Sequence, residues 1–339
     1  MSLSLAVKYR PKQWKDVVEQ DNIKIILQNQ LETNTIKNSY LFVGGAGTGK
    51  TTSARIFANE INKGMGNPIE LDAASHNSVD DMRDLIQQAQ SKSLDSEYKI
   101  FIVDECHMIT VQGWNALLKL IEEPPAKSIF IFCTTNPEKI PKTILSRVQR
   151  YDFKMISQNG IINRLNRVLS KEGLNVVSSQ DAIEFIAKLA DGHLRDSLTM
   201  LDKCLAYSKD LALENVVKAL GTTDYEMMFK LLDGMFLNDI KQCFDIIEDV
   251  YGQGKDLKLF VKSFLTFLLD ISKYGMGCDW KFISIPAINE YTRYLNDLKD
   301  SEFDLIRDWL KGFIKLNTDI KYSDTPKMDI ECTLFTILK

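Results

Sequence analysis

The segment Gly44-Gly45-Ala46-Gly47-Thr48-Gly49-Lys50-Thr51-Thr52 satisfies the pattern G-x-x-x-x-G-K-[ST]. Its chemistry is phosphate binding: the glycines let backbone N–H groups close around phosphate oxygens, and a helix that starts at the end of the pattern adds its positive dipole end. Lys50 then reaches the β- and γ-phosphates, and the Thr51 hydroxyl is placed to ligate Mg²⁺. The pattern lies between the apolar run Tyr40 to Val43 and a helix predicted from about Thr51, the context that the motif requires. A structural glycine turn explains the run of glycines without explaining the Lys-Thr pair.

A second acidic feature follows. The run Ile100-Phe101-Ile102-Val103 ends in Asp104-Glu105-Cys106-His107. Asp104 at a strand tip can hold Mg²⁺ through water, and Glu105 can polarise an attacking water. Taken alone, such a run fits a strand entering a solvated turn equally well, and it is the preceding phosphate loop that favours the metal reading. The letters also spell the D-E-x-H box of helicases, but a two-lobed helicase motor needs a second sheet, which the helical half from Ser157 does not supply. His107 is read as a structural or coupling residue, because hydrolysis of this kind needs no histidine base. Cys106 and Cys133 are expected in the core. His76 is assigned to a solvated turn, with a DNA-facing loop as the alternative, and Phe260, Phe264 and Phe267 form a core stripe at helical spacing.

These residues need a scaffold, and the first half of the chain alternates short apolar runs with amphipathic stretches. The runs are Tyr40 to Val43, Ile69 to Asp72, Lys99 to Asp104, Ser128 to Thr134 and Arg150 to Phe153. Five strands with helices between them predict an α/β, doubly wound parallel sheet. From Ser157 only helical periodicity appears, with a three-helix unit to about residue 220 and longer helices beyond it. The expected domains are 1–155, 156–221 and 222–339.

Length and composition agree with that division. At roughly 150 residues per domain, 339 residues make two or three domains with cores of their own. The formal charge of −4 provides no global attraction for nucleic acid, so any such contact needs a local basic face. Six scattered cysteines and three histidines show neither zinc-ligand spacing nor a disulfide framework, and reduced thiols in the cytoplasm are expected. No run is long and apolar enough to suggest a signal peptide or a membrane span.

Several segments jointly resemble one family. They are Lys8-Tyr9-Arg10-Pro11 with Trp14 and Glu19-Gln20, the phosphate loop, Leu71-Asp72-Ala73-Ala74-Ser75, the Asp104-Glu105 pair, and the stretch from Asn115 through Lys119 to Pro124-Pro125. Thr134-Thr135-Asn136-Pro137, Ile144-Leu145-Ser146-Arg147, Gly192-His193-Leu194-Arg195 and the stretch from Ile320 to Glu331 complete the series. Their order is similar to that of the bacterial clamp loader ATPases, the gamma/tau subunits of DNA polymerase III, and more distantly to the small subunits of replication factor C. The resemblance implies an AAA+ sheet domain, a three-helix lid and an all-α collar that forms an oligomeric ring. It implies ATP hydrolysis with Mg²⁺, and as partners a sliding clamp, other clamp loader subunits and primer-template DNA.

By the same resemblance, Arg147 is a finger that reaches a neighbouring subunit's γ-phosphate, and Val148 replaces the family's usual cysteine beside it. Thr135 falls at the sensor 1 position, to orient water, and Arg195 at sensor 2, to clamp the nucleotide. Tyr9, Arg10, Pro11, Val17 and Val18 fall where the family packs adenine, and Arg83 and Lys119 where it tracks duplex phosphates. The family's four-cysteine zinc module has no counterpart, since Ile61 to Pro68 contains no cysteine, so no zinc is expected. A compact form without the family's C-terminal extension is also expected. Two other functions stay open: a non-hydrolysing scaffold subunit of such an assembly, and another AAA+ DNA motor such as a branch-migration helicase.

Overall fold

The computed structural model describes residues 3–93, 95–174, 180–220, 224–286 and 288–338. Five strands form one parallel sheet: β1 (Ser39–Val43), β2 (Ile69–Asp72), β3 (Lys99–Asp104), β4 (Ser128–Thr134) and β5 (Gln149–Asp152), in the order β2-β3-β4-β1-β5. The strands fall within one residue of the expected runs.

Why these runs become central strands is visible in their side chains. Every residue of β1 and β4 is buried, as a strand covered on both faces requires. Alternate residues feed two separate cores. Leu41, Val43, Phe101, Val103, Phe130 and Phe132 join one core with helices Val79–Gln90 and Val111–Glu122. Tyr40, Phe42, Ile100, Ile102, Ile129 and Ile131 join the other with helices Asp21–Glu32 and Lys50–Ile61. Helix Val79–Gln90 begins in a capping box, Ser78 with Asp81, that satisfies end N–H groups which would otherwise lack partners. His76 lies beside it, exposed, in the loop after the turn Ala73 to Ser75, with Nδ1 3.3 Å from Asp81 Oδ1.

Beyond the sheet the chain is helical, with Gln158–Lys171, Gln180–Leu189 and Leu194–Tyr207 as the three expected helices. A fourth, Leu213–Leu220, also falls before residue 221. The expected boundary at 221/222 lies outside the described residues. By packing, the chain divides into two compact units, one of Met1–Leu174 with Ile186–Asp202 and one of Asn175–Phe185 with Lys203–Lys339.

The second unit holds a large helical core, in which Phe260, Phe264 and Phe267 of helix Leu257–Gly275 are all buried, as their spacing predicts. Asp270 on the same helix is fully buried, and it is compensated on both oxygens: Lys273 Nζ lies 2.9 Å away and the Ser284 N–H donates at 2.6 Å. No helix among the described residues is long and apolar enough to cross a membrane.

Candidate nucleotide site

In open parallel sheets ligands bind at the carboxyl ends of the strands, where the strand order reverses. Here β1 lies between β4 and β5, and the loop Gly44 to Gly49 leaves its carboxyl end and enters helix Lys50–Ile61. Gly47 cannot be replaced freely, because its φ of +68° is left-handed and an added Cβ would come within 3.2 Å of the Arg195 backbone nitrogen. That approach brings the start of helix Leu194–Tyr207 against the loop. Gly49, at φ +99°, makes the final turn into the helix.

Lys50 is 6% exposed, and its Nζ donates to the Gly44 and Gly45 carbonyls, each at 2.8 Å. Burial holds its ammonium below the ordinary lysine value, and the nearby Glu105 and Asp104 carboxylates work against that shift. Thr48 Oγ1 donates to the Gly45 carbonyl at 2.8 Å. Thr51 Oγ1 donates to Asp104 Oδ2 at 2.7 Å, so the loop hydroxyl and the strand-tip carboxylate are already in register, as their motifs predict. Two adjacent oxygen donors beside a phosphate cradle suit Mg²⁺, which takes one or two protein oxygens together with phosphates and waters.

Glu105 sits at φ +45°, a left-handed conformation that non-glycine residues seldom adopt and that recurs at functional sites. Its Oε2 accepts from Thr135 Oγ1 at 3.2 Å and lies 3.3 Å from His107 Nδ1, which is itself 3.2 Å from Thr134 Oγ1. Thr134 ends β4 and Thr135 follows it, so His107 links the end of β4 to the acid by contact. Cys106 and Cys133 are fully buried beneath the site, where burial pushes both thiols up and keeps them protonated.

A cavity of about 430 Å³ opens over the loop. Gly47 to Thr52 with Ala46 form its floor, Asp104 and Glu105 one side, and Arg195 another. Tyr9, Arg10, Pro11, Val17 and Val18 close the remaining wall, where adenine is expected. Its size lies within the usual range for small-molecule sites. Burial, reinforced by the neighbouring Arg55 and Arg195 charges, holds Arg10 below its ordinary value, so the cavity carries positive charge suited to a polyanion.

The structure does not bring every expected residue to this cavity. Gly44 and Gly45 act through their carbonyls on Lys50, and Thr135 through Glu105. Arg83 and Lys119 lie exposed on helices Val79–Gln90 and Val111–Glu122, which pack together, and Arg83 Nη1 pairs with Asp80 Oδ1 at 2.8 Å. Arg147 also lies elsewhere. Gln149 pairs with Tyr40, so Arg147 sits at the amino end of the sheet, roughly 13 Å or more along the strand direction from Gly44, at about 3.3 Å per residue. It is half-exposed, with Nε 2.6 Å from Glu122 Oε1.

Two lining arginines escape motif reasoning. Arg55 has a legible signal, since it stands one turn after Thr51 on the same helix face. Arg164, 6% exposed, donates through Nη2 to the Tyr9 carbonyl, and nothing local in the sequence distinguishes it.

The strand order, the phosphate loop after β1 and the acid pair at the end of β3 define a nucleotide-binding protein of the AAA+ ATPase class. By structure the chain resembles the Thermotoga maritima RuvB Holliday junction branch migration motor, with a TM-score of 0.53 at 17% identity, covering 86% of this chain and 99% of that one. That likeness concerns the fold.

Family models are more specific. Residues 67–157 match "DNA polymerase III, delta subunit", 160–210 match "DNA polymerase III clamp loader subunit, ATPase lid domain", and 211–335 match "DNA polymerase III subunits gamma and tau domain III". The tau subunit of Bacillus subtilis is 36% identical over 288 residues, covering 78% of this chain and 51% of that protein. The gamma/tau subunit of Mycoplasma genitalium is 34% identical over 291 residues, covering 79% and 48%. The tau subunit of Escherichia coli is 28% identical over 361 residues, covering 98% and 55%. The chain belongs to the gamma/tau family of DNA polymerase III clamp loader subunits, and it spans about half the length of the curated relatives it matches.

Proposed function

We propose that this chain is an ATPase motor subunit of a DNA sliding-clamp loader, acting in the cytoplasm with other loader subunits, a sliding clamp and primer-template DNA. The observation that carries the reading is a set of contacts at the end of β3: Thr51 on Asp104 at 2.7 Å, beside a Glu105 that accepts from Thr135 at 3.2 Å, within a nucleotide-sized cavity. A non-hydrolysing scaffold subunit would not need this set intact.

In this account the loop amides and Lys50 hold the phosphates of ATP, and Thr51 and Asp104 would hold Mg²⁺, which would supply charge neutralisation at the phosphates. Glu105 accepts the proton of the attacking water, and Thr135 with His107 keeps the carboxylate aimed. Arg195, whose backbone packs on the loop, clamps the nucleotide from the lid, and Arg147 serves a neighbouring subunit. Residues 1–155 supply the motor, 156–221 the lid and 222–339 the collar through which subunits associate. ATP binding favours the form that grips the open clamp, and hydrolysis releases it closed on DNA, so the coupling is a difference in clamp affinity between nucleotide states. The test is clamp capture by the assembled loader: retention with a non-hydrolysable ATP analogue and release with ADP are expected, and equal retention contradicts the coupling.

Arg83 and Lys119 are assigned to duplex phosphates inside the ring. Changing both to glutamine should weaken DNA binding and reduce the slope of log affinity against log salt by about 2, at about 0.9 per lost contact. An unchanged slope in a salt titration returns both to the role of solvated helix residues.

A further inference from the structure

A second cavity, of about 400 Å³, lies in the first unit between the segment Lys8 to Asp16 and helix Gln158–Lys171. It is nearly as large as the nucleotide cavity, and Tyr9, Arg10, Pro11 and Arg164 line both. Its wall is strongly cationic. Lys8, Lys12, Lys15, Arg164, Arg167 and Lys171 line it together with Arg10, and the one carboxylate lining it is Asp16, which is paired with Arg167 at 3.0 Å. Lys8 pairs with Glu172 at 2.6 Å. Lys12, Lys15 and Lys171 have no carboxylate partner among the described residues.

The decisive group is Arg164. It is more than nine-tenths buried, its Nη2 is committed to the Tyr9 carbonyl, and its Nε has no hydrogen-bond partner. A buried guanidinium N–H left unpaired is costly, and a buried charge ordinarily finds a counter-charge. Burial, with Arg167 adding to it and Asp16 working against it, holds Arg164 below its ordinary value. Lysines and a buried arginine lining one cavity match an anion of high charge density, since guanidinium and ammonium donors both suit phosphate oxygens.

We propose that this cavity is a second anion site, which takes a compact polyphosphate of two or three linked phosphates and is separate from the phosphate loop. Its concave form favours a small polyanion over a nucleic-acid strand, which is held along an extended basic groove. The site shares the Tyr9 to Pro11 wall and Arg164 with the nucleotide cavity, so an occupant touches the segment that flanks adenine.

The probe is inorganic tripolyphosphate, which lacks a base. With the phosphate loop saturated by a non-hydrolysable ATP analogue and Mg²⁺, calorimetry on the full chain should show one further equivalent of tripolyphosphate bound. Lys12→Glu with Lys15→Glu, two exposed positions whose change leaves the core untouched, should weaken that binding at least tenfold. Tripolyphosphate binding that survives Lys50→Ala while failing in the double variant identifies the second cavity even if the phosphate loop does not bind nucleotide. The proposal is overturned by no uptake once the loop is filled, by equal affinity in the double variant, or by an oligonucleotide that depends on Lys12 and Lys15 while tripolyphosphate does not bind.

Discussion

Changing Arg147 to alanine is expected to leave ATP binding intact and to slow hydrolysis by about 10³- to 10⁵-fold, the range for an arginine finger, and only in the assembled ring. The phosphate loop leaves the carboxyl end of β1, whereas Arg147 precedes a strand whose first residue, Gln149, pairs with Tyr40 near the amino end of β1. A side chain there cannot reach its own chain's γ-phosphate, so a catalytic role requires another subunit's site. Its present partners, Glu122 and the Thr143 carbonyl at 2.7 Å, are half-exposed contacts of little energetic weight, so releasing the arginine to a neighbour costs little. Single-turnover hydrolysis by the reconstituted assembly is the measurement. Equal turnover by variant and parent assemblies rules out a finger acting across the interface.

Lys50→Ala is expected to weaken ATP binding at least about 100-fold, equivalent to about 2.7 kcal/mol. The ammonium is nearly buried and is held by two loop carbonyls that fix it over the cradle, so phosphate would meet a positioned charge rather than a solvated one. Hydrogen bonds to charged groups contribute about 1.5–3 kcal/mol each, which makes the loss of this donor larger than that of any single loop amide. Titration with a fluorescent ATP analogue reads the effect. Retained tight binding would sink the phosphate-loop assignment.

Much of the scaffold was legible because the strands are buried on both faces. Runs such as Ser128 to Thr134 admit no other placement once helices cover both sides, and the loop motif fixes which strand end carries the site. Asp104 and Thr51 were predictable from their motifs, and the structure joins them at 2.7 Å. Helix Leu213–Leu220 was missed as a separate element because its eight residues give too short a window for periodicity. The resemblance assigns Arg147 to a neighbouring subunit, and strand register keeps it away from its own chain's phosphate loop. Local sequence could not reveal that Arg164 sits beneath Tyr9, because the two are joined by a contact across 155 positions. The near-neutral net charge provides no global attraction for nucleic acid, yet seven cations line one cavity of the first unit, which no sum over the chain can show.

The central claim is that ATP hydrolysis by this chain is geared to clamp loading. Steady-state ATPase of the chain assembled with its partner subunits, measured alone and then with sliding clamp and primed DNA together, tests it most directly. A large stimulation that requires both clamp and primed DNA, and that disappears with Lys50→Ala, is the predicted result. A rate unaffected by clamp and primed DNA in a demonstrably complete assembly would contradict the account.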